Sequence, residues 1–194
     1  MNRLLQVLFA VAIATARALA HEPLAIKPLA ERTDESLPEG TLSWRIENFP
    51  DAAAAKAAAG PWSLAVEAAG KAWLFTLQGD SKSAGTGTKV AEVGPIPRIG
   101  ATRYLLRINQ ATGAPGSETP VHTHPGSEAF YVLRGEQSIR GPADTIRVSV
   151  GQGEAGRGAG VPMQVSSSGE GELLALVMFV VDATKPFSSP AENF

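Results

Sequence analysis

Two histidines and a glutamate lie close together in the second half of the chain. His122 and His124 are two residues apart, and Glu128 follows four residues after His124. Residues two apart in a strand point to the same face, and Pro125 and Gly126 favour a turn that returns Glu128 to the histidines. Two imidazoles and one carboxylate from paired strands suit a divalent transition metal and leave coordination positions open. The spacing therefore predicts a metal site here.

The same stretch resembles a motif of a known protein family. The spacing G-x5-H-x-H-x3-E-x6-G, bracketed by Gly116 and Gly135, is similar to the first motif of the cupin superfamily. The resemblance implies an all-β fold, a jelly-roll-like antiparallel β-barrel with an N-terminal extension and one short helix. It also implies that His122, His124 and Glu128 lie inside the barrel and hold one divalent metal ion: iron, manganese, copper, nickel or zinc.

A second, degraded cupin motif is indicated over residues 158 to 167. Gly160 and Pro162 match the family pattern, whereas Met163 occupies the position of the family's third metal histidine. Met163 is therefore a candidate ligand, and its soft thioether would favour copper. The alternative interpretation is that Met163 fills the cavity as a flexible apolar side chain.

Two functions follow from this resemblance and stay open. The first is a metal-binding cupin with dioxygenase-like chemistry on a small molecule. The second is a non-catalytic module that binds a small ligand or a metal, or that is metal-free, because the sequence shows no separate acid–base partner. Arg103 and Arg107 precede the motif, and they either hold a substrate carboxylate or face solvent. Tyr131, three residues past Glu128, is predicted to point to the opposite face of the strand. No catalytic residue is assigned.

Composition excludes several other classes of protein. The chain has 194 residues, of which 44% are hydrophobic and 19% charged, which is typical of a globular domain. It has no cysteine, which excludes disulfides and thiolate-bound metals. The net charge is −2 and no basic run is present, which argues against a nucleic-acid partner.

Residues 1 to 20 resemble a secretory signal peptide. Arg3 precedes an apolar run over Leu4–Ala14, and Ala18 and Ala20 form an A-x-A cleavage site. Cleavage after Ala20 predicts a periplasmic or secreted protein whose mature form is not in the membrane.

The rest of the chain divides into three predicted parts. Residues 21 to 61 are read as an extended arm with a short helix over Asp51–Ala59, capped by Asp51. The arm packs along the barrel, packs onto a second copy in a homodimer, or stays mobile. Residues 62 to 182 form the barrel. Residues 183 to 194, rich in proline and serine, form a loosely ordered tail.

Ten strands are predicted within the barrel from alternating or continuous apolar runs. They are Ser63–Glu67, Ala72–Gln78, Lys89–Val93, Arg103–Asn109, Glu118–His124, Ala129–Leu133, Gln137–Arg140, Thr145–Val150, Val161–Ser166 and Leu173–Val181. The last run is apolar throughout, which indicates a strand buried on both faces.

Overall fold

The computed structural model describes residues 22–82, 84–192 and 194, and the predicted leader lies outside this range. The described residues form strands β1 (Ala25–Asp34), β2 (Leu42–Phe49), β3 (Ser63–Ala68), β4 (Lys71–Gln78), β5 (Thr88–Ile96), β6 (Tyr104–Gly113), β7 (His122–Thr123), β8 (Gly126–Arg134), β9 (Glu136–Arg140), β10 (Thr145–Ser149), β11 (Gly153–Ala155), β12 (Gln164–Ser167), β13 (Leu173–Asp182) and β14 (Ser189–Pro190), with helix α1 (Ala52–Ala58) between β2 and β3.

The strands pair antiparallel in four sheets. The largest has five strands in the order β1-β6-β13-β8-β11, and a second has four strands in the order β3-β4-β2-β5. Strands β10, β9 and β12 form a third sheet, and β14 pairs with β7 in the fourth. The predicted all-β class is therefore confirmed. The described residues include no helix with the length and apolarity of a membrane span.

The five-stranded sheet lies between two apolar layers, and β13 runs through its centre. Leu176, Met178 and Val180 of β13 pack on one face, and Val177 and Phe179 pack on the other. Side chains alternate along a strand, so a strand covered on both sides must be apolar at every position. This explains the continuous apolar run and confirms that it is a buried strand.

The four-stranded sheet covers one face of the central sheet. Trp44 and Phe75 from this second sheet meet Leu106 and Ile108 of β6 in a buried cluster. Tyr131 of β8 lies in the same cluster, with its ring centroid 6.2 Å from that of Trp73. Tyr131 therefore points away from Glu128, as predicted.

The opposite face of the central sheet is concave and carries Glu128, one of the predicted metal ligands. Phe130 and Val132 of β8 pack there with Ile139 of β9 and Val165 of β12 in a second buried cluster. His122 lies on β7, which pairs with β14 outside the central sheet.

The segment predicted as an arm differs most from the expectation. Strand β1 pairs with β6 along one edge of the central sheet, and β2 lies between β4 and β5. The residues of β1 are mostly exposed, and its register shifts between Pro28 and Ala30. Proline and charged residues are typical of such edge strands, and they obscure the apolar alternation that would identify one.

Proline also shortens one of the predicted strands. The run predicted over Glu118–His124 is a strand only at His122–Thr123, with Glu118 in isolated bridges. Pro120 has no backbone N–H to donate, so the ladder breaks there. The predicted helix is present as α1, and the Asp51 side chain accepts a hydrogen bond from the Ala54 N–H at 2.8 Å, as a cap should.

Gly126 supplies a test of the close pairing between β8 and β13. A Cβ at this position would overlap the Val180 carbonyl oxygen and lie 2.5 Å from the Val181 Cα. We expect Gly126→Ala to lower the free energy of unfolding by about 2–3 kcal/mol, because backbone cannot yield as a flexible side chain can. Urea unfolding followed by tryptophan fluorescence measures this loss. Gly100→Ala, where a Cβ meets nothing within 4 Å, is the control, and an equal loss in both variants would contradict the prediction.

Candidate metal centre and ligand cavity

A cavity of about 370 Å³ opens on the concave face of the central sheet. Its walls are mainly apolar and include Phe130, Val177 and Phe179. The titratable side chains that line it are His122, His124 and Glu128. The structure therefore brings the three residues predicted as metal ligands to the wall of one cavity.

The register of the central sheet explains how the floor of this cavity is built. Glu128 of β8 lies opposite Phe179 of β13, which in turn lies opposite Arg107 of β6. The next row on the same face consists of Phe130, Val177 and Asn109. The two rows are two residues apart along each strand, and side chains two residues apart in a strand point to the same face.

Both imidazoles are oriented by backbone carbonyl groups. His122 Nδ1 lies 2.8 Å from the Pro120 carbonyl oxygen, and His124 Nδ1 lies 2.6 Å from that of Phe187. A carbonyl oxygen can only accept, so each Nδ1 donates a proton to it, and Nε2 is the ring nitrogen that is left for a metal ion. Histidines that bind metals are commonly held in this way by a hydrogen bond from the other ring nitrogen.

His124 is the more buried of the two histidines. Its ring centroid lies 4.9 Å from that of Phe179, 4.8 Å from that of Phe187 and 4.9 Å from that of His122. Burial lowers the pKa of His124 to about 4, and the positive charges of His122 and Arg107 act in the same direction, against the Phe187 carbonyl. The imidazole is therefore neutral at pH 7, as a metal ligand must be.

Glu128 is buried without a full set of partners. Its side chain is almost completely covered, and Oε1 has no hydrogen-bond partner among the described residues. Burial raises the pKa of Glu128 to about 8, although the backbone N–H and the charge of Arg157 oppose this. The carboxyl group is therefore mostly protonated at neutral pH.

Space for the Glu128 side chain depends on Gly156, which the sequence analysis did not identify as a site residue. A Cβ at Gly156 would lie 2.6 Å from Glu128 Cγ and 2.8 Å from its Oε1. Gly156 follows β11, a three-residue strand that pairs with β8 and was not predicted. Only a glycine lets the chain pass this close to the carboxyl group.

The C-terminal tail covers one side of the cavity, which corrects the expectation of a loosely ordered segment. Ser189 and Pro190 pair with Thr123 and His122. The Phe187 ring lies 4.9 Å from that of Phe179, between centroids, and its carbonyl oxygen accepts from His124. Its proline and serine residues locally favour a loop. The order of the segment comes instead from contacts with residues that are distant in the sequence.

Arg107 is held by its neighbours. Its Nη2 lies 2.6 Å from Glu31 Oε2, and its guanidinium lies 4.3 Å from the centroid of the Phe187 ring. It therefore neither faces open solvent nor offers a free cation to a substrate carboxylate, the two alternatives that the sequence left open. Arg103 is exposed.

Met163 lies behind the cavity wall. It is fully buried in the second cluster, and its backbone exchanges two hydrogen bonds of 2.9 Å with that of His122. It is not among the residues that line the cavity. This position fits the role of an apolar filler, and ligation by its sulfur stays a prediction.

The donor chemistry of the site fits a metal ion better than the positions of its side chains do. Two imidazoles with free Nε2 atoms and an unpartnered carboxyl oxygen are donors that divalent transition metals accept. Within residues 22–82, 84–192 and 194, however, no three histidine, aspartate or glutamate side chains are placed to hold one ion together. The three ligands share a cavity without forming a closed set.

The chain matches no protein-family model and no curated protein. Among solved structures, it is similar to a cupin superfamily protein from Desulfitobacterium hafniense, with 18% identity and a TM-score of 0.36, over 40% of this chain and 68% of that one. A cupin-like protein from Thermotoga maritima has 16% identity and a TM-score of 0.40, over 45% of this chain and 65% of that one.

A DMSP lyase from Ruegeria pomeroyi is similar at 20% identity and a TM-score of 0.38, over 44% of this chain and 43% of the lyase. All three similarities cover less than half of this chain with TM-scores below 0.5, so they say nothing about its activity.

Substitution of Glu128 tests its protonation in the native state. The unfolded chain ionises this carboxyl near pH 4.5, whereas the native state keeps the proton up to about pH 8. The native state therefore binds more protons in this window, and stability falls as the pH rises through it. Glutamine does not titrate, so we expect wild type to lose stability relative to Glu128→Gln between pH 4.5 and about 8.

Urea unfolding at a series of pH values, with a chelator present, measures this difference. Glu67→Gln, at an exposed position of β3, is the control. The difference between its free energy of unfolding and that of wild type should not change over this pH range as it does for Glu128→Gln. A wild-type protein that gains stability relative to Glu128→Gln over this range would show that the native carboxyl is ionised.

Proposed function

We propose that this chain is a cupin-type protein that binds one divalent transition metal ion through His122, His124 and Glu128, next to a cavity for a small molecule. The observation that carries the proposal is that these three side chains line one cavity and that Glu128 Oε1 has no hydrogen-bond partner among the described residues. Iron, manganese, copper, nickel and zinc all accept this combination of nitrogen and oxygen ligands.

The orientation of the imidazoles supports the proposal. A histidine that binds a metal through Nε2 loses less freedom if Nδ1 is already fixed, and the carbonyl groups of Pro120 and Phe187 provide this restraint. A surface histidine has no need of such a partner. The two hydrogen bonds therefore favour a ligand role over an incidental one.

The state of Glu128 also supports the proposal. A buried carboxyl with an unpartnered oxygen costs free energy, and the cost is offset when a cation pairs with it. Because the native carboxyl holds a proton at neutral pH, metal binding must release that proton. The proposal also requires the three side chains to move closer together, since they do not form a closed set in the structure.

When bound, such an ion supplies a Lewis acid or a redox centre with open coordination positions. In its more specific form, the proposal is that the protein is an enzyme with dioxygenase-like chemistry on a small molecule. In this scheme the apolar wall formed by Phe130, Val177 and Phe179 excludes water from the reacting molecule.

The second candidate function is a non-catalytic module that binds a small ligand without a metal. Two observations favour it: no three ligands are gathered among the described residues, and Met163 lies outside the cavity wall. The absence of a further acid–base group on that wall points in the same direction.

The proposal includes export of the protein to the periplasm or the cell exterior. It rests on the leader pattern of residues 1 to 20 alone. Cell fractionation with an antibody against the barrel, together with the mass of the mature protein, tests export and cleavage after Ala20.

Metal binding is tested by equilibrium dialysis of the purified protein against each of the five metals, followed by elemental analysis. We expect about one ion per chain for at least one metal, and a loss of affinity of about 100-fold or more in His122→Ala and Glu128→Gln. His122 is half-buried, so its removal should spare the fold, which circular dichroism checks.

Met163→Leu is the matched control. It keeps the volume of a buried apolar side chain, so metal affinity should stay at the wild-type value if Met163 only packs. A wild-type protein that takes up none of the five metals would leave the metal-free module as the function. A large loss of affinity in Met163→Leu would instead make Met163 a ligand.

A further inference from the structure

Asn109 is a buried amide on the wall of the cavity. It lies on β6, in the row that contains Val177 and Phe130, and is 2% exposed. Its Oδ1 has no hydrogen-bond partner among the described residues. Buried amides are almost always paired, so an unpartnered one at a cavity wall indicates where a polar group of a ligand would bind.

The other buried polar atoms without a partner do not compete for this role. Of the buried side chains with such atoms, Asn109 and Glu128 are the ones that line this cavity, while Gln137, Ser138 and Ser167 do not. Glu128 belongs to the proposed metal site. Asn109 is thus the polar anchor that remains for the ligand itself.

The rest of the wall determines what else the ligand must be. Three phenylalanines, Phe130, Phe179 and Phe187, line the cavity, and none of the described lysine or arginine residues does. Arg107, the nearest cation on this face of β6, is paired with Glu31 and covered by the Phe187 ring. In the metal-free protein, an anionic ligand would therefore lose its hydration without gaining a cation.

A hydroxyl group suits the Asn109 amide in either orientation of its side chain. A hydroxyl both donates and accepts, so it can pair with Oδ1 or with the amide nitrogen. An ether can only accept, and a hydrocarbon can do neither. The volume of about 370 Å³ is near the lower end of the range for small-molecule pockets, about 300–1,000 Å³.

We propose that this cavity binds a small, uncharged and largely apolar molecule that carries a hydroxyl group, such as a substituted phenol, and that Asn109 selects it through that hydroxyl. The inference rests on the proposed function, because it names the ligand class of the same site. It does not need the metal to be present, which allows the two proposals to fail separately.

The test is calorimetric titration of the full chain, kept metal-free with a chelator, with three probes that share a 4-methylphenyl group. 4-Methylphenol carries the hydroxyl, 4-methylanisole replaces it with an ether, and 4-methylbenzoate replaces it with a charge. We expect the phenol to bind about ten-fold more tightly than the ether, as one hydrogen bond allows, and the benzoate to bind more weakly than both.

Asn109→Leu assigns the preference to this residue. The variant should lose the preference for the phenol, because the amide that distinguishes the two probes is gone, and circular dichroism checks that it is folded. Gln110→Leu is the matched control, because Gln110 is the next amide on β6 and does not line the cavity. It should keep the wild-type preference.

Three results would overturn the inference. They are equal binding of phenol and ether by wild type, binding of none of the probes, or a preference that persists in Asn109→Leu. The first two need no variant, so the test stands even if Asn109→Leu fails to fold. Failure of metal uptake in the dialysis experiment, with the phenol preference intact, would overturn only the metal site.

Discussion

The structure depends on burying β13 on both of its faces. Leu176 and Met178 pack against the four-stranded sheet, while Val177 and Phe179 face the cavity. Each buried aliphatic or aromatic side chain of this size contributes about 1.5–3 kcal/mol to folding. Since β6 and β8 pair with β13 on either side, the position of Glu128 and Asn109 on the cavity floor follows from this one strand.

Burial favours the uncharged forms of two side chains in the cavity. It lowers the pKa of His124 to about 4 and raises the pKa of Glu128 to about 8, because burial disfavours the charged form of each. Phe130, Phe179 and Phe187 would make isolated charges costly. The aromatic groups around the two titratable side chains therefore favour the binding of neutral molecules. They favour the binding of a cation only when the carboxyl can give up its proton.

Much of the central sheet and the three candidate ligands could be predicted from the sequence. Leu173–Val181 is identified by its uninterrupted apolar run, and His122, His124 and Glu128 by a spacing that few other sites share. Asn109 was missed, because one polar residue in a strand gives no sign of whether it faces a cavity. Its position two residues from Arg107 is a weak signal that both share a face.

The segments that could not be predicted are ordered by distant contacts. Edge strand β1 and the tail that contains Phe187 carry prolines and polar residues, which locally favour loops. Their order depends on β6 and on β7, which lie more than 60 residues away along the chain. Local propensity does not reflect a partner so remote in the sequence, and in β1, most of whose residues are exposed, proline and charged residues interrupt the apolar alternation.

Phe187 has two roles at the cavity that depend on one segment of backbone. Its ring forms part of the wall, while its backbone carbonyl accepts a hydrogen bond from His124 Nδ1. A change in the position of this segment would therefore alter the shape of the cavity and the orientation of the His124 imidazole together.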